Sequence, residues 1–388
     1  MRVCFWATSF QSDIQTVAYD LAENPQFEVV VAMDNPEAYR QDAIWRVRPF
    51  PGRLIDRRQP DIKKVLTAFK ADVMVVDNHL PSFTVAPRIM VLWHGYGWRK
   101  DDISGMRKAL RKHVGKVTVA NPRFTWQAFG PDDRRFTIDH RRIHEDNVVA
   151  LGSPYSDLLL PDSGFRSRFD KRTVADCFNV DIVGRKTVLI GMTWHYGGLL
   201  GGFGDELDLL AELLEHISQR EANVVFRMHD RHRYAPDYLA AIEALVSKRS
   251  GVMLKFKSES PDSLVDILVS DVLITNFSSF ANLYYYTHKP CLHIHPFSSP
   301  AQSLVLRKFT RGKVQEKRIA SSDDIFKMSP EDNGGLLAHT FGDLLDHIDT
   351  ALDTPSVVAA AARSFIERHI TAADGRTCAR VGSALLDW

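Results

Sequence analysis

A chain of 388 residues exceeds what one ordinary hydrophobic core fills, because single cores seldom grow past roughly 250 to 300 residues, so two α/β domains are expected. With 49 Lys and Arg against 48 Asp and Glu the net charge is +1, which excludes a nucleic-acid binder of the strongly basic kind and confines any electrostatic partner to a local patch. Cys4, Cys177, Cys291 and Cys378 form no CxxC pair, no apolar run approaches about 18 residues, and the opening MRVCFWATSF enters a strand without a signal-peptide core. A cytoplasmic protein, at most peripheral on the inner face of a membrane, is the expectation.

Arg2–Ala7, Ser12–Glu23 and Glu28–Met33 read as strand, amphipathic helix and strand, the start of a parallel sheet with a right-handed crossover. The first turn lacks GxGxxG, so a dinucleotide cofactor is not indicated. Asp61–Lys70 reads as a helix, and Val73–Asp77 and Ile89–Trp93 as buried strands, the second running into the loop His94 to Lys100. Ile103–His113 is a helix with Arg107, Lys108, Arg111 and Lys112 on its polar face, either a cationic patch or an ordinary solvated face. Val117–Ala120 and Val148–Leu151 complete the first sheet in this reading, and Gly152-Ser153-Pro154-Tyr155 turns out of the domain.

The polar stretch Ser163–Asp176 suits a connection, giving domains of residues 1–160 and 161–388. A second series follows: strands at Thr187–Thr193, Asn223–His229, Val252–Phe256, Val272–Thr275 and Pro290–His295, alternating with helices at Asp205–Gln219, Pro236–Lys248, Asp262–Val269 and after Ser279. This alternation implies a parallel sheet covered on both faces, and the tail adds two or three helices, including Pro355–His369 and Asp374–Leu386.

Polar residues collect at the carboxyl ends of these strands, where open α/β sheets bind ligands: His94 and Gly95, Thr193 to His195, Arg227 to His229, and Asn276 to Ser279. Ser278 and Ser279 stand between a strand and a helix, where free N–H groups and the helix dipole favour an anion, although such serines also serve as plain helix caps. Gly197 to Gly204 is glycine-rich without the Lys-Ser/Thr of a P-loop and reads as a lid or an inert loop. His293-Ile294-His295, or His229 with His232, could ligate a metal by spacing, but neither has a Cys or carboxylate at a familiar distance, so no metal and no cofactor are expected. There is no Asp-x-Asp to clamp a metal diphosphate and no GxSxG elbow.

Several of these stretches together carry a resemblance. Val91 to Lys100, VLWHGYGWRK, looks like the WHGxxxK loop of the CDP-glycerol glycerophosphotransferase family, the teichoic-acid type primases and polymerases. In the same order, Leu189–His195 is similar to its APTWR strand, Phe226–Asp230 to its RxHP strand, Ser270–Phe280 to its SDxLITDYSS turn, and Ala373 to Arg376 to its closing DG element. The resemblance implies a GT-B fold, an α/β architecture of two facing Rossmann-like domains with parallel sheets and an interdomain cleft, the N-terminal one for the acceptor and the C-terminal one for the nucleotide donor. It implies His94 as catalytic base and His229 as the second catalytic residue, matching with the serine turn the positions that bind the donor phosphates. Gly95, Arg99, Lys100, Thr193, His195, Arg227, Asn276, Ser278 and Ser279 are then the substrate-binding set. Asn276 stands where the family usually has Asp, Asp230 where it has Pro, and His195 where it has Arg, so the donor's identity is less firmly implied than the fold.

The implied reaction moves a polyol phosphate from a CDP-linked donor to a hydroxyl of a glycan or lipid-linked acceptor, with CMP released and positioning and charge stabilisation as the protein's task. The partners are thus the donor, that acceptor and, through Arg99 to Lys116, an anionic membrane surface or a polyanionic acceptor; nucleic acid is not among them. Two other classes fit the same residues: a sugar-nucleotide glycosyltransferase or epimerase on the same fold, and a non-catalytic module that keeps only the shape.

Overall fold

The computed structural model describes residues 1–93, 96–98, 100–191, 195–196, 199–276, 278–295, 304–319 and 326–388. The chain divides into two compact units, one of Met1–Tyr96, Asp101–Ser167 and Glu367–Trp388, the other of Gly97–Lys100 and Arg168–Ile366. This division differs from a single cut at residue 160, because residues 161–167 and the end of the tail belong with the first unit.

The first unit runs β1 (Arg2–Trp6), α1 (Ser12–Glu23), β2 (Glu28–Met33), α2 (Pro36–Gln41), α3 (Ala43–Val47), β3 (Arg53–Asp56), α4 (Ile62–Phe69), β4 (Val73–Val76), β5 (Arg88–Leu92), α5 (Ser104–Val114), β6 (Phe124–Ala128), α6 (Pro131–Asp139), β7 (Val148–Ala150) and α7 (Ser156–Leu159). Its seven strands form one sheet in the order β3-β2-β1-β4-β5-β6-β7, every pairing parallel. The central strands are buried along their length, as parallel strands covered on both faces must be. α5 buries Met106, Leu110 and Val114, the three-to-four spacing of an apolar stripe, and leaves Lys108, Arg111 and Lys112 exposed.

One strand falls elsewhere than the sequence suggested. Residues 117–120 make no strand: Val119 is 49% exposed, and Asn147 Nδ2 donates to the carbonyls of Val117 (2.9 Å) and Val119 (2.8 Å) in place of a ladder. The strand is β6, FTWQA, which sends Phe124, Trp126 and Ala128 into the core. The α2, α3 and β3 stretch was not legible either, since β3 is an edge strand with a single buried residue.

Asp13, in the first turn of α1, ties this unit together. Its Oδ1 accepts from Ser153 Oγ (2.7 Å) and from the Tyr155 backbone N–H (2.8 Å), pinning the turn after β7 against α1. Burial pushes its carboxyl up to about 6, outweighing those hydrogen bonds. A carboxyl whose folded pKa lies above its unfolded value of 3.8 adds no penalty below pH 4. It destabilises the fold progressively as pH rises from about 4 to 6, by an amount on the order of 3 kcal/mol. Asp13→Asn keeps an acceptor for Ser153 and Tyr155 and removes the charge. Thermal melts of the variant and the wild type should therefore coincide near pH 4 and diverge towards pH 7.5, with the variant melting higher; parallel curves across that range would show that Asp13 does not titrate there.

The second unit contains β8 (Thr187–Gly191), α8 (Glu206–Gln219), β9 (Asn223–Met228), α9 (Pro236–Ser247), β10 (Val252–Phe256), α10 (Leu264–Val269), β11 (Val272–Thr275), α11 (Ser279–Tyr285), β12 (Cys291–Ile294), β13 (Leu304–Thr310), β14 (Lys313–Ile319), β15 (Leu336–Ala338), α12 (Phe341–Asp353) and most of α13 (Pro355–His369). Six strands form a parallel sheet in the order β10-β9-β8-β11-β12-β15, and β13 and β14 form a separate antiparallel hairpin. The stretch 163–176 is a polar connection with one short 3₁₀ turn and the start of another. The last helix, α14 (Thr377–Leu386), lies in the first unit. Among the described residues no helix is long and apolar enough to cross a membrane.

Candidate functional site

In the second sheet chain order reverses between β8 and β11, so the crevice at the carboxyl ends of those two strands is the topological switch point where doubly wound sheets bind ligands. The two ends are fastened by Thr275 Oγ1 donating to the Gly191 carbonyl at 2.6 Å. Gly191 is required there, since a Cβ would stand 2.6 Å from the Phe280 ring in the first turn of α11. Asn276 is buried just past β11, and the half-buried Ser278 is the N-cap of α11, its Oγ accepting from the Phe280 N–H at 3.3 Å. A capping hydroxyl spends a lone pair and keeps its own proton, so capping and donation to a phosphate oxygen are compatible. α11 spans only seven residues, so the hydroxyls of Ser278 and Ser279 carry the argument for an anion here and the helix dipole does not.

His229 follows β9 on the neighbouring side of β8 and is half-buried. The Tyr234 hydroxyl accepts from its backbone N–H (2.8 Å), and its Nδ1 faces both the Asp230 N–H and Asp230 Oδ2, each at 2.8 Å. Burial lowers the pKa of the imidazole more than the adjacent carboxylate raises it, so the ring is neutral at physiological pH. An Nδ1 that accepts from the Asp230 N–H puts the proton of the neutral ring on Nε2, and one that donates to Asp230 Oδ2 keeps it on Nδ1; in either tautomer Nε2 is the nitrogen left to meet a ligand. Should an approaching phosphate protonate the ring, Asp230 is placed to accept the new Nδ1–H. Burial alone would raise the Asp230 carboxyl, but a hydrogen bond from the His229 ring when Nδ1 carries a proton, together with Arg233 and Lys257, holds it well below the usual carboxylate range.

Arg227, near the end of β9, is already engaged. Its guanidinium donates to Asp266 Oδ2 (2.5 Å) and to the Ser260 carbonyl (2.7 Å), and its side chain is 8% exposed. Lys255, its register partner on β10, reaches Asp266 Oδ1 at 2.6 Å. Two cations thus share one wholly buried carboxylate, which leaves positive charge in the sheet behind His229. Asp266 had one sequence signal, a lone carboxylate within LVDILV, all six residues of which are buried.

His94, Gly95, Arg99 and Thr193 lie outside the described residues, as do Gly197 and Gly198 of the glycine-rich stretch. What flanks His94 is defined. Trp93 stacks on Trp126 at 5.3 Å, and the guanidinium of Arg141 lies 5.0 Å from the Trp93 ring and 5.1 Å from that of Trp126. The same guanidinium pairs with Asp101 (2.6 Å) and Asp133 (3.3 Å). Arg141 therefore grips both ends of the stretch that carries His94, and nothing in its basic surroundings in the sequence announced this. Tyr96 packs edge-on against Phe129 in the first unit. Trp98 is buried in the second unit against His293 and Phe365, its carbonyl accepting from the Lys327 N–H at 2.8 Å. Lys100 is exposed and His195 half-buried.

His293 sits within the core, where its Nε2 meets the Tyr285 hydroxyl at 2.5 Å and burial drops its pKa to about 3; it is a neutral structural imidazole. The glycine-rich stretch is not free along its described length, because Leu199 and Leu200 are buried in the core and the Leu199 N–H donates to Glu206 Oε1. Asp374 of the DG element accepts from the Arg376 N–H and pairs with Arg380, organising the start of α14. Among the described residues no three His, Cys, Asp or Glu side chains are grouped to hold a metal.

A family model described as CDP-glycerol:poly(glycerophosphate) glycerophosphotransferase matches residues 6–296. The chain belongs to that family. It is accordingly a CDP-glycerol glycerophosphotransferase. Among solved structures it is similar to the wall teichoic acid polymerase TagF at 13% identity, with a TM-score of 0.67 over 99% of this chain and 88% of that one. It is also similar to the UDP-GlcNAc 2-epimerase of Neisseria meningitidis bound to UDP-GlcNAc, at 13% identity and a TM-score of 0.55 over the whole of both chains. A glycosyltransferase of Rickettsia africae ESF-5 follows at 10% identity and a TM-score of 0.52, over 99% of this chain and 97% of that one. At such identities these likenesses speak for the fold, and the fold is GT-B. A search of curated proteins returns no match.

Proposed function

We propose that this glycerophosphotransferase holds the diphosphate of its CDP-linked donor at the β8/β11 switch point and passes the polyol phosphate to a hydroxyl of a cell-surface glycan or lipid-linked acceptor. The observation that carries this placement is the convergence of Ser278, Ser279, Asn276 and His229 on the carboxyl edge of the second sheet in a chain of this family. The acceptor oxygen bonds to the phosphorus that bears the polyol, the bond from that phosphorus to the bridging oxygen breaks, and CMP leaves with that oxygen. His94 takes the acceptor's proton. His229 Nε2–H and the two serine hydroxyls hold non-bridging oxygens, with Thr193, His195 and Asn276 completing the donor set and Gly95, Arg99 and Lys100 serving the acceptor side. Arg227 acts from behind: with Lys255 it supplies field, while its own hydrogen bonds go to Asp266 and Ser260.

The exposed cations of α5, Lys108, Arg111 and Lys112, face an anionic membrane in this reading, a contact that salt should weaken. Co-sedimentation with anionic vesicles that is unchanged on reversing their signs would return α5 to a solvated helix. The donor assignment is tested by incubating the protein with CDP-linked and UDP-linked donors and identifying the nucleotide retained and released. CMP is the expected product. Release of UDP would favour the glycosyltransferase reading, which the likeness to a UDP-GlcNAc 2-epimerase and to a glycosyltransferase keeps as the second choice. The serines are tested by calorimetry. Ser278→Ala with Ser279→Ala should weaken CDP-donor binding by about 1.5 to 3 kcal/mol, the usual worth of a hydrogen bond to a charged group. Wild-type affinity would reduce them to a cap.

A further inference from the structure

The β13–β14 hairpin has no counterpart among the elements read from the sequence, and it is strongly cationic. Residues 304–319 carry Arg307, Lys308, Arg311, Lys313, Lys317 and Arg318 against Glu316 alone, a net +5 in a chain whose total is +1. Glu316 is spent on Arg307 at 2.8 Å.

The register sorts the remaining cations by face. Leu304, Leu306, Lys308 and Thr310 pair with Ile319, Lys317, Gln315 and Lys313, and directly paired residues share a face. Leu304, Leu306 and Ile319 pack together at its base; on the same face Lys317 stands opposite Leu306, and Lys308 and Lys313 lie further out, with Arg311 at the turn. Among the described residues no acid pairs with these four. Alternate residues of a strand lie about 7 Å apart on one face, so the lysines form a row of like charges along the ladder.

The hairpin is fixed to the edge that carries the site. Tyr196, just beyond β8, exchanges both backbone hydrogen bonds with Arg307 at 3.0 Å, and β13 lies against Arg231 to Arg233, a turn that begins two residues after His229.

We propose that this lysine face is a docking surface for a polyanionic acceptor, a chain of repeated phosphodiesters of the kind the family description names. The assignment rests on the transferase reading above and adds to it where the growing chain lies. Charge complementarity commits the surface to this partner. A membrane-inserting hairpin would present apolar groups at its tip, where this one has Arg311-Gly312. Backbone attachment at Tyr196, past the end of β8, sets the hairpin at the sheet edge that carries the site, which a substrate track requires and a general membrane contact does not.

The test is binding of fluorescently labelled poly(glycerol phosphate), followed by anisotropy across a salt series, for wild-type protein and for the combined Lys308→Glu, Lys313→Glu and Lys317→Glu variant. A combined Lys→Gln variant serves as a milder second form. Lys313 and Lys317 are exposed and Lys308 is half-buried, and no ion pair is lost among the described residues, so melting temperature should change little. The reversal should weaken polymer binding at least tenfold, and the slope of log affinity against log salt should fall by about two, as expected when three phosphate contacts are lost. Transfer to a single-unit acceptor should be unaltered. Unchanged polymer affinity in both folded variants overturns the assignment, as does a loss confined to vesicles containing phosphatidylglycerol. If the wild type releases no CMP from any CDP-linked donor while reversal still abolishes polymer binding, the transferase reading fails and the polyanion site stands. If CMP release to the single-unit acceptor persists and polymer binding ignores the reversal, the hairpin assignment fails alone.

Discussion

His94→Ala should lower the turnover number by about 10²- to 10⁴-fold, the usual worth of a general base, and leave the affinity for the CDP-linked donor intact. The base acts on the acceptor hydroxyl only as the new bond forms, so its loss is felt in the transition state and not in donor binding. His229→Ala should fail differently. A neutral imidazole that donates Nε2–H to a donor oxygen is in place both before and during transfer, so its removal should weaken nucleotide binding as well as the rate. The chain separates the two residues as the roles require: His94 follows β5 of the first sheet, and His229 follows β9 of the second. Transfer rates from CMP release and affinities from calorimetry, on variants whose melting shows them folded, distinguish the two patterns. Full activity in a folded His94→Ala protein would sink the mechanism.

What could be read in advance followed from burial. Parallel strands covered on both faces appear as unbroken apolar runs, so VLIT at β11 was legible with its boundaries and VMVV at β4 to within one residue, and the alternation of strand and helix gave the two-sheet architecture. Elements that bury little left no such trace. β3 buries one residue of four, β15 is three residues long, and β14 buries only its last, so all three were invisible to a reading based on apolar pattern. Residues 117–120 have the composition of a strand, but Asn147 and the His144 N–H, nearly thirty positions later, take the carbonyls that a strand would have paired. The motif residues stood out because they cluster at strand ends, but sequence could not show which side chains were already engaged. Arg227 reads as a phosphate ligand until Asp266, 39 residues on, is seen to hold it.

Arg141 is the residue whose loss should do the most damage without any contact to substrate. Its side chain is 1% exposed, it pairs with Asp101 and with the equally buried Asp133, and the rings of Trp93, Trp126 and Phe136 lie within about 5 Å of its guanidinium. Arg141→Met should destabilise the protein by about 3 to 5 kcal/mol, because breaking a buried pair leaves a carboxylate without its counter-charge. Arg141→Lys separates folding from function. Lysine keeps the charge and can satisfy one carboxylate, but it lacks the planar fork that meets Asp101 and Asp133 together while stacking among the rings. The two ends of the stretch from Trp93 to Asp101 would then no longer be held by a single group, and general-base catalysis depends on how closely the base is held to its proton. The Lys variant should therefore melt a few degrees lower, bind the CDP-linked donor with wild-type affinity, and turn over at least tenfold more slowly. The loss should appear in kcat with an unshifted nucleotide Kd. A purely structural role would lower the melting temperature and leave kcat untouched in the folded fraction, and that result would remove Arg141 from the positioning of His94.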